Sequence, residues 1–132
     1  DRGDVASAPY ARQIRGHRRQ WLEDELRRRK AGETIALCER LLRQSDDGET
    51  RFFLGEAYRL RAGDGDGARA LAEYALAGSR SDCPPEMYRS RGLLQRQAGE
   101  TAAASASFSR YLALRPAADD AEMIRSYLQE GR

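Results

Sequence analysis

The sequence predicts an all-α fold of about three helical hairpins, stacked in chain order and closed by a C-terminal capping helix. Three observations predict it. Apolar residues recur at three- and four-residue steps along most of the chain, a spacing that lays one face along a helix. Glycine-bearing turn segments, Ala31-Gly32-Glu33-Thr34, Arg61 to Gly67 and Ala98-Gly99-Glu100-Thr101, divide those stretches into pairs. No strand is apparent. The chain has 132 residues, and a chain of that size buries roughly 68% of its unfolded surface, enough for one self-sufficient core.

Residues 1–8 carry little that can bury and read as an N-terminal tail or linker. Arg2-Gly3-Asp4 spells an integrin-binding tripeptide there, a match short enough for chance to supply often. The first hairpin is expected at about 9–44. Ser7 caps its first helix, Pro9 sits in the first turn, and Tyr10, Ile14, His17, Trp21 and Glu25 form a stripe flanked by Leu22 and Leu26. Ala31 to Thr34 repeats the turn chemistry of Ala98 to Thr101, and Ile35, Leu37, Cys38, Leu41 and Leu42 carry the second helix.

Ser45-Asp46-Asp47-Gly48 is a turn and cap cluster that opens the second hairpin, about 48–79. Phe53, Leu54, Gly55, Ala57 and Tyr58 mark its first helix, and Ala68, Leu71, Ala72, Ala75 and Leu76 its second. The intervening Asp64-Gly65-Asp66-Gly67 looks like a calcium loop, but alanines stand at 68 and 75 where an EF-hand needs oxygen ligands. An extended interhelical turn is the expectation.

The third hairpin, about 84–115, has Pro84-Pro85 and Pro116 as boundaries and Gly99 as a left-handed helix end. Tyr88, Gly92 and Leu93 lead in, and Ala104, Phe108, Tyr111 and Leu112 lead out. Gly92 is expected to face Ala104, with Phe108 filling the wider space one turn on. A capping helix at about 119–129 follows, with Asp119 and Glu122 as a capping box and Met123, Ile124, Tyr127 and Leu128 as its apolar stripe.

The net charge of +2 does not by itself argue for nucleic acid, and acidic residues interleave with the arginines. Of 23 basic residues only Lys30 is a lysine, a bias that points to a GC-rich bacterial source more than to a function. No apolar run approaches the ~18 residues of a spanning helix, so no direct membrane insertion is expected. The chain begins at Asp1, compatible with a processed or excised piece of something longer. His17 is the single histidine, which excludes a paired-histidine zinc site within the chain; no catalytic residue, metal ligand or cofactor is assigned. Cys38 and Cys83 are expected to pack or stay free rather than bridge across the intervening hairpin.

Tyr88, Gly92, Gly99, Ala104, Phe108 and Pro116 fall at the aromatic, glycine, turn, alanine, aromatic and proline positions of the tetratricopeptide repeat, and the central hairpin resembles that family, whose period is about 34 residues. Leu54-Gly55 and Tyr58 match its spacing again, whereas Glu25 and Arg28 depart from it in the first unit. The resemblance implies a superhelix whose first helices line a concave groove. It places Phe52, Glu56, Arg59, Arg89, Leu93 and Arg96 in a peptide-binding groove, with Glu49, Leu60, Glu86, Gln97, Arg19, Leu22, Leu26 and Arg29 beside them. Arginine forks over an apolar floor suit peptide backbone and carboxylates. Arg69 and Arg110, on second helices, are expected to face outward.

Tyr10, Ile14, His17-Arg18, Trp21-Leu22, Phe53 to Arg59 and Asp120 to Leu128 together resemble the C-terminal repeat region of bacterial envelope zinc metallopeptidases of the beta-barrel assembly-enhancing type. That implies an accessory docking domain for an attached protease, in the periplasm or cell envelope, with the cytoplasm left open. The leading expectation is a non-enzymatic protein- or peptide-binding scaffold. Self-association with another copy and arginine-mediated RNA binding are the alternatives, the latter disfavoured because aromatics sit at packing positions.

Overall fold

The computed structural model describes residues 18–24, 26 and 30–131. Among these the chain is all-α, with no strand. Helix α1 covers the helical residues 18–24 and 26. It is followed by α2 (Ala31–Gln44), α3 (Gly48–Arg61), α4 (Asp66–Gly78), α5 (Glu86–Gln97), α6 (Thr101–Leu114) and α7 (Ala121–Glu130). Consecutive helices from α2 to α7 pack on one another, and α3 also touches α5. The tail at 1–8, Ser7, Pro9, Tyr10, Ile14, His17, Glu25, Arg28 and Arg29 lie outside the described residues.

Each helix end has a local cause. Asp47 accepts the Thr50 N–H at 2.7 Å and caps α3. Asp82, from the loop after α4, accepts the neighbouring Gly48 and Glu49 N–H groups at 2.8 and 3.3 Å. A Cβ on Gly48 would stand 2.8 Å from that carboxylate and 2.9 Å from the Arg80 Cβ, so any larger residue would push the loop after α4 away. At the far end of α5, Gly99 adopts φ 78°, and the Glu100 and Gly99 N–H groups return to the Gln95 and Arg96 carbonyls. This is the left-handed close expected of Ala98 to Thr101.

Ala31 to Thr34 does not repeat it. Helix α2 already starts at Ala31, and the Thr34 N–H bonds the Lys30 carbonyl at 2.9 Å, so Gly32 lies inside the first helical turn. The turn between α3 and α4 is built around Asp66, which is 1% exposed. Its carboxylate accepts from Nε and Nη2 of Arg61 at 2.8 and 2.9 Å, from the Gly63 N–H at 3.0 Å and from Arg69 at 3.0 Å. These bonds, led by Arg61, hold its carboxyl well below the usual range.

The core forms two clusters. The first joins Leu22, Ile35, Leu37, Cys38, Phe52, Phe53, Leu54, Tyr74 and Met87 from α1 to α5. The second joins Ala104, Phe108, Tyr111 and Ile124, and half-buried Tyr88 packs against both. Trp21 is 52% exposed while Leu22 is fully buried, so the buried stripe of α1 runs one residue away from the expected one. Gly92 also has a different partner from Ala104: a Cβ there would stand 2.6 Å from the Phe108 ring, so the missing side chain makes room for the ring. The same device recurs at Gly55, where a Cβ would meet the Tyr74 ring at 2.5 Å.

The expected capping box on α7 is absent. Its cap residue is Asp120, which makes no side-chain cap bond. The Asp120 carboxylate instead accepts the Tyr111 hydroxyl at 2.6 Å, and a charge-assisted bond of that kind outweighs a solvent-exposed cap.

Candidate functional site

The six residues expected along a groove divide into two groups by burial. Phe52 is 4% exposed and meets Phe53, equally buried, edge-on at 5.2 Å in the first core cluster. The Phe53 ring lies beside Glu23 and Leu26 of α1. Leu22, expected beside the groove, is likewise in the core.

Glu56, Arg59 and Arg89 come together in one polar network. Glu56 is a buried carboxylate that accepts the Tyr74 hydroxyl in a short hydrogen bond. Both Arg59 nitrogens reach it at 3.2 Å, and Arg89 stands 3.8 Å away. Burial of Arg59 works against its charge, but the Glu56 carboxylate outweighs it and the guanidinium is held more firmly protonated than usual. Burial pushes the Tyr74 phenol up, reinforced by the same carboxylate. Arg89 is shared with Asp120 at 3.4 Å and lies 5.9 Å from the Tyr111 ring. The network therefore runs Tyr74, Glu56, Arg89, Asp120, Tyr111 and ties α3 and α4 to α5, α6 and the start of α7.

Leu93 is half-buried against the second core cluster. Arg96 stacks 3.9 Å over the Tyr127 ring and bonds Glu130 at 2.9 Å, which pins the end of α7 to α5. The arginines expected to present forks to a ligand carboxylate are engaged by carboxylates of the chain itself. On second helices, Arg69 is exposed and bound to Asp66, and Arg110 is exposed 5.6 Å over the Tyr88 ring.

Among the described residues, one shallow notch on the first-helix face lies between α1 and α3, beside Glu23, Leu26, Phe53, Glu56 and Leu60, and another lies beside Glu86, Arg89, Tyr111 and Asp120. Leu60 is 53% exposed in the first. Phe53, Glu56 and Leu60 recur at steps of three and four, so the period that places a helix face carried the signal for this wall. Glu23 had no signal beyond its place four residues after Arg19, with which it pairs at 3.7 Å.

Burial holds both thiols in the protonated form. Burial pushes the Cys38 thiol up to about 12 and the Cys83 thiol up to about 11, and neither is bridged. Among the described residues no cluster of His, Cys, Asp and Glu is arranged to hold a metal, and no helix is long and apolar enough to cross a membrane. No family model, curated protein or solved structure matches the chain.

Proposed function

We propose that this chain is a non-enzymatic protein-binding scaffold of tetratricopeptide type that takes a peptide segment at the notch between α1 and α3. The observation that supports this reading is Leu60: a large apolar side chain left 53% exposed beside Leu26 and Phe53. Apolar anchors that seat in a depression supply most of the binding energy at such surfaces. The sequence resemblance of Phe53 to Arg59 and Asp120 to Leu128 supports an accessory role beside an envelope zinc metallopeptidase. In that context an HExxH helix belongs to another segment of the same reading frame.

The test is a contrast between two exposed leucines. Leu60→Asp should weaken capture of peptides from a randomised display library by ~10-fold or more, whereas Leu76→Asp, at a 40% exposed position on α4, should leave it unchanged. Equal binding by both variants would remove the notch from the reading. A second reading, self-association, is favoured by Trp21, which lies 52% exposed beside Ala36, Leu37 and Arg40. It is the single tryptophan, so a blue shift of its fluorescence with rising protein concentration, together with a concentration-dependent rise in sedimentation coefficient that Trp21→Ala abolishes, would identify that edge as a contact between copies.

A further inference from the structure

We infer that the chain carries a second binding surface, separate from the α1/α3 notch, on which Arg91 of α5 and Arg110 of α6 receive the carboxylates of an acidic peptide segment. The two guanidinium groups lie 5.0 and 5.6 Å from the centre of one ring, Tyr88. Neither makes an ion pair. Among the described residues the arginines without a carboxylate partner are Arg40, Arg43, Arg91 and Arg110, and of these Arg91 and Arg110 share a ring. Their surroundings supply no acid to neutralise them. Arg110 is the one charged side chain of α6. On α5 and the elements beside it, Glu86 turns to Arg115, Glu73 is bound to Arg51, and Asp82 accepts the Gly48 and Glu49 N–H groups.

The pair is also held in place. Arg91 donates Nε to the Ser107 hydroxyl at 2.9 Å, and Ser107 donates in turn to Gln95 at 2.6 Å. No bond within the chain uses the two terminal nitrogens of Arg91, the pair that takes a carboxylate end-on. Attraction of both guanidinium groups to the Tyr88 ring lowers the cost of ordering them around a ligand. Along α6 the exposed neighbours of Arg110 at helical spacing are Ala106, Ala113 and Leu114, a low apolar floor that suits a peptide with small or apolar residues between its acids. Nucleic acid fits less well, because the ring on which a base would stack is half-buried and already covered by the arginines. Carboxylate recognition, expected of the first-helix arginines, thus falls to two arginines that the fold leaves unpaired.

Two peptide pools with an uncharged fluorescent label test this. Both are randomised over leucine, phenylalanine and alanine; one carries glutamate and the other glutamine at alternating positions. Fluorescence anisotropy against the whole chain should show the glutamate pool binding ~10-fold or more tightly. The net charge of +2 supplies some diffuse attraction, so a matched pair of variants decides. Arg110→Gln should lower the preference severalfold, whereas Arg43→Gln, at another exposed and unpaired arginine on α2, should leave it unchanged. Arg91→Lys keeps the charge without the fork and should lower the preference too. Leu60→Ser should leave it standing, so this surface and the notch can fail separately. Equal binding of the two pools, or binding of neither, overturns the inference and leaves the notch to its own test. Equal loss in Arg110→Gln and Arg43→Gln marks diffuse attraction and overturns it as well, as does loss in Leu60→Ser. Tighter binding of a short labelled oligothymidylate than of the glutamate pool would reassign the surface to nucleic acid.

Discussion

The α3–α4 and α5–α6 pairs solve the same packing problem with opposite chemistry. Each crosses at a helical glycine that makes room for an aromatic ring, Tyr74 on Gly55 and Phe108 on Gly92. The residue after each glycine then differs in step with the ring. Glu56 follows Gly55 and accepts the Tyr74 hydroxyl, whereas Leu93 follows Gly92 and packs in the apolar cluster that holds Phe108. The glycine–ring contact sets the backbone approach, and the neighbouring side chain is free to be polar or apolar provided its partner agrees. The two choices differ in reach. Leu93 ends in its own cluster, while Glu56 needs cationic partners because a buried carboxylate left alone is costly. It finds them in Arg59 and in Arg89 of the next pair.

The largest expected effect falls on the apolar pair. Phe108 is 1% exposed, and Phe108→Ala should cost ~3–5 kcal/mol through lost transfer energy and the cavity left beside Gly92. Urea denaturation giving less than ~1 kcal/mol would show that the ring is not what the glycine accommodates.

The polar pair should be more modest and more strongly coupled. Tyr74→Phe should cost ~1.5–3 kcal/mol, the range for a hydrogen bond to a charged group. Combining it with Glu56→Leu, which writes the chemistry of residues 93 and 108 into the other hairpin, should show a coupling energy of ~0.5–3 kcal/mol in a double-mutant cycle. Simple additivity of the two changes would mean that the hydroxyl and the carboxylate do not depend on each other.

The smallest effect is a pH dependence at the far end of the network. Burial, with the Asp120 hydrogen bond next, pushes the Tyr111 phenol up from its ordinary 10.0 to about 12. The folded chain therefore holds that proton more tightly than the unfolded one. Its contribution is whole below pH 10 and falls as the pH rises from 10 to about 12. Cys38, raised from 9.0 to about 12 by burial, adds to the same loss. Thermal melts across this range should be less steep in pH for Tyr111→Phe than for the parent chain, and parallel curves would exclude Tyr111 from the alkaline limb.

What the sequence determined by itself is the local half of this protein. Periods of three and four, with Asp47 before α3 and Gly99 after α5, place helix faces and ends because a helix face and a cap depend on residues within one or two turns. The turn around Asp66 was legible on the same ground, as acidic and glycine residues too poorly spaced for calcium. Where a residue has two competing partners, proximity in sequence stopped being a guide. Asp120, and not the expected Asp119, stands at the cap of α7 and turns its side chain to Tyr111 and Arg89, and Gly92 took Phe108 in place of Ala104. Arg89 looked open in the sequence because its partners Glu56 and Asp120 lie 33 and 31 residues away along the chain, while the nearby Glu86 turns to Arg115. Only the stacking of hairpins brings those charges within bonding distance, and so only the tertiary structure decided that Arg89 is committed to the fold.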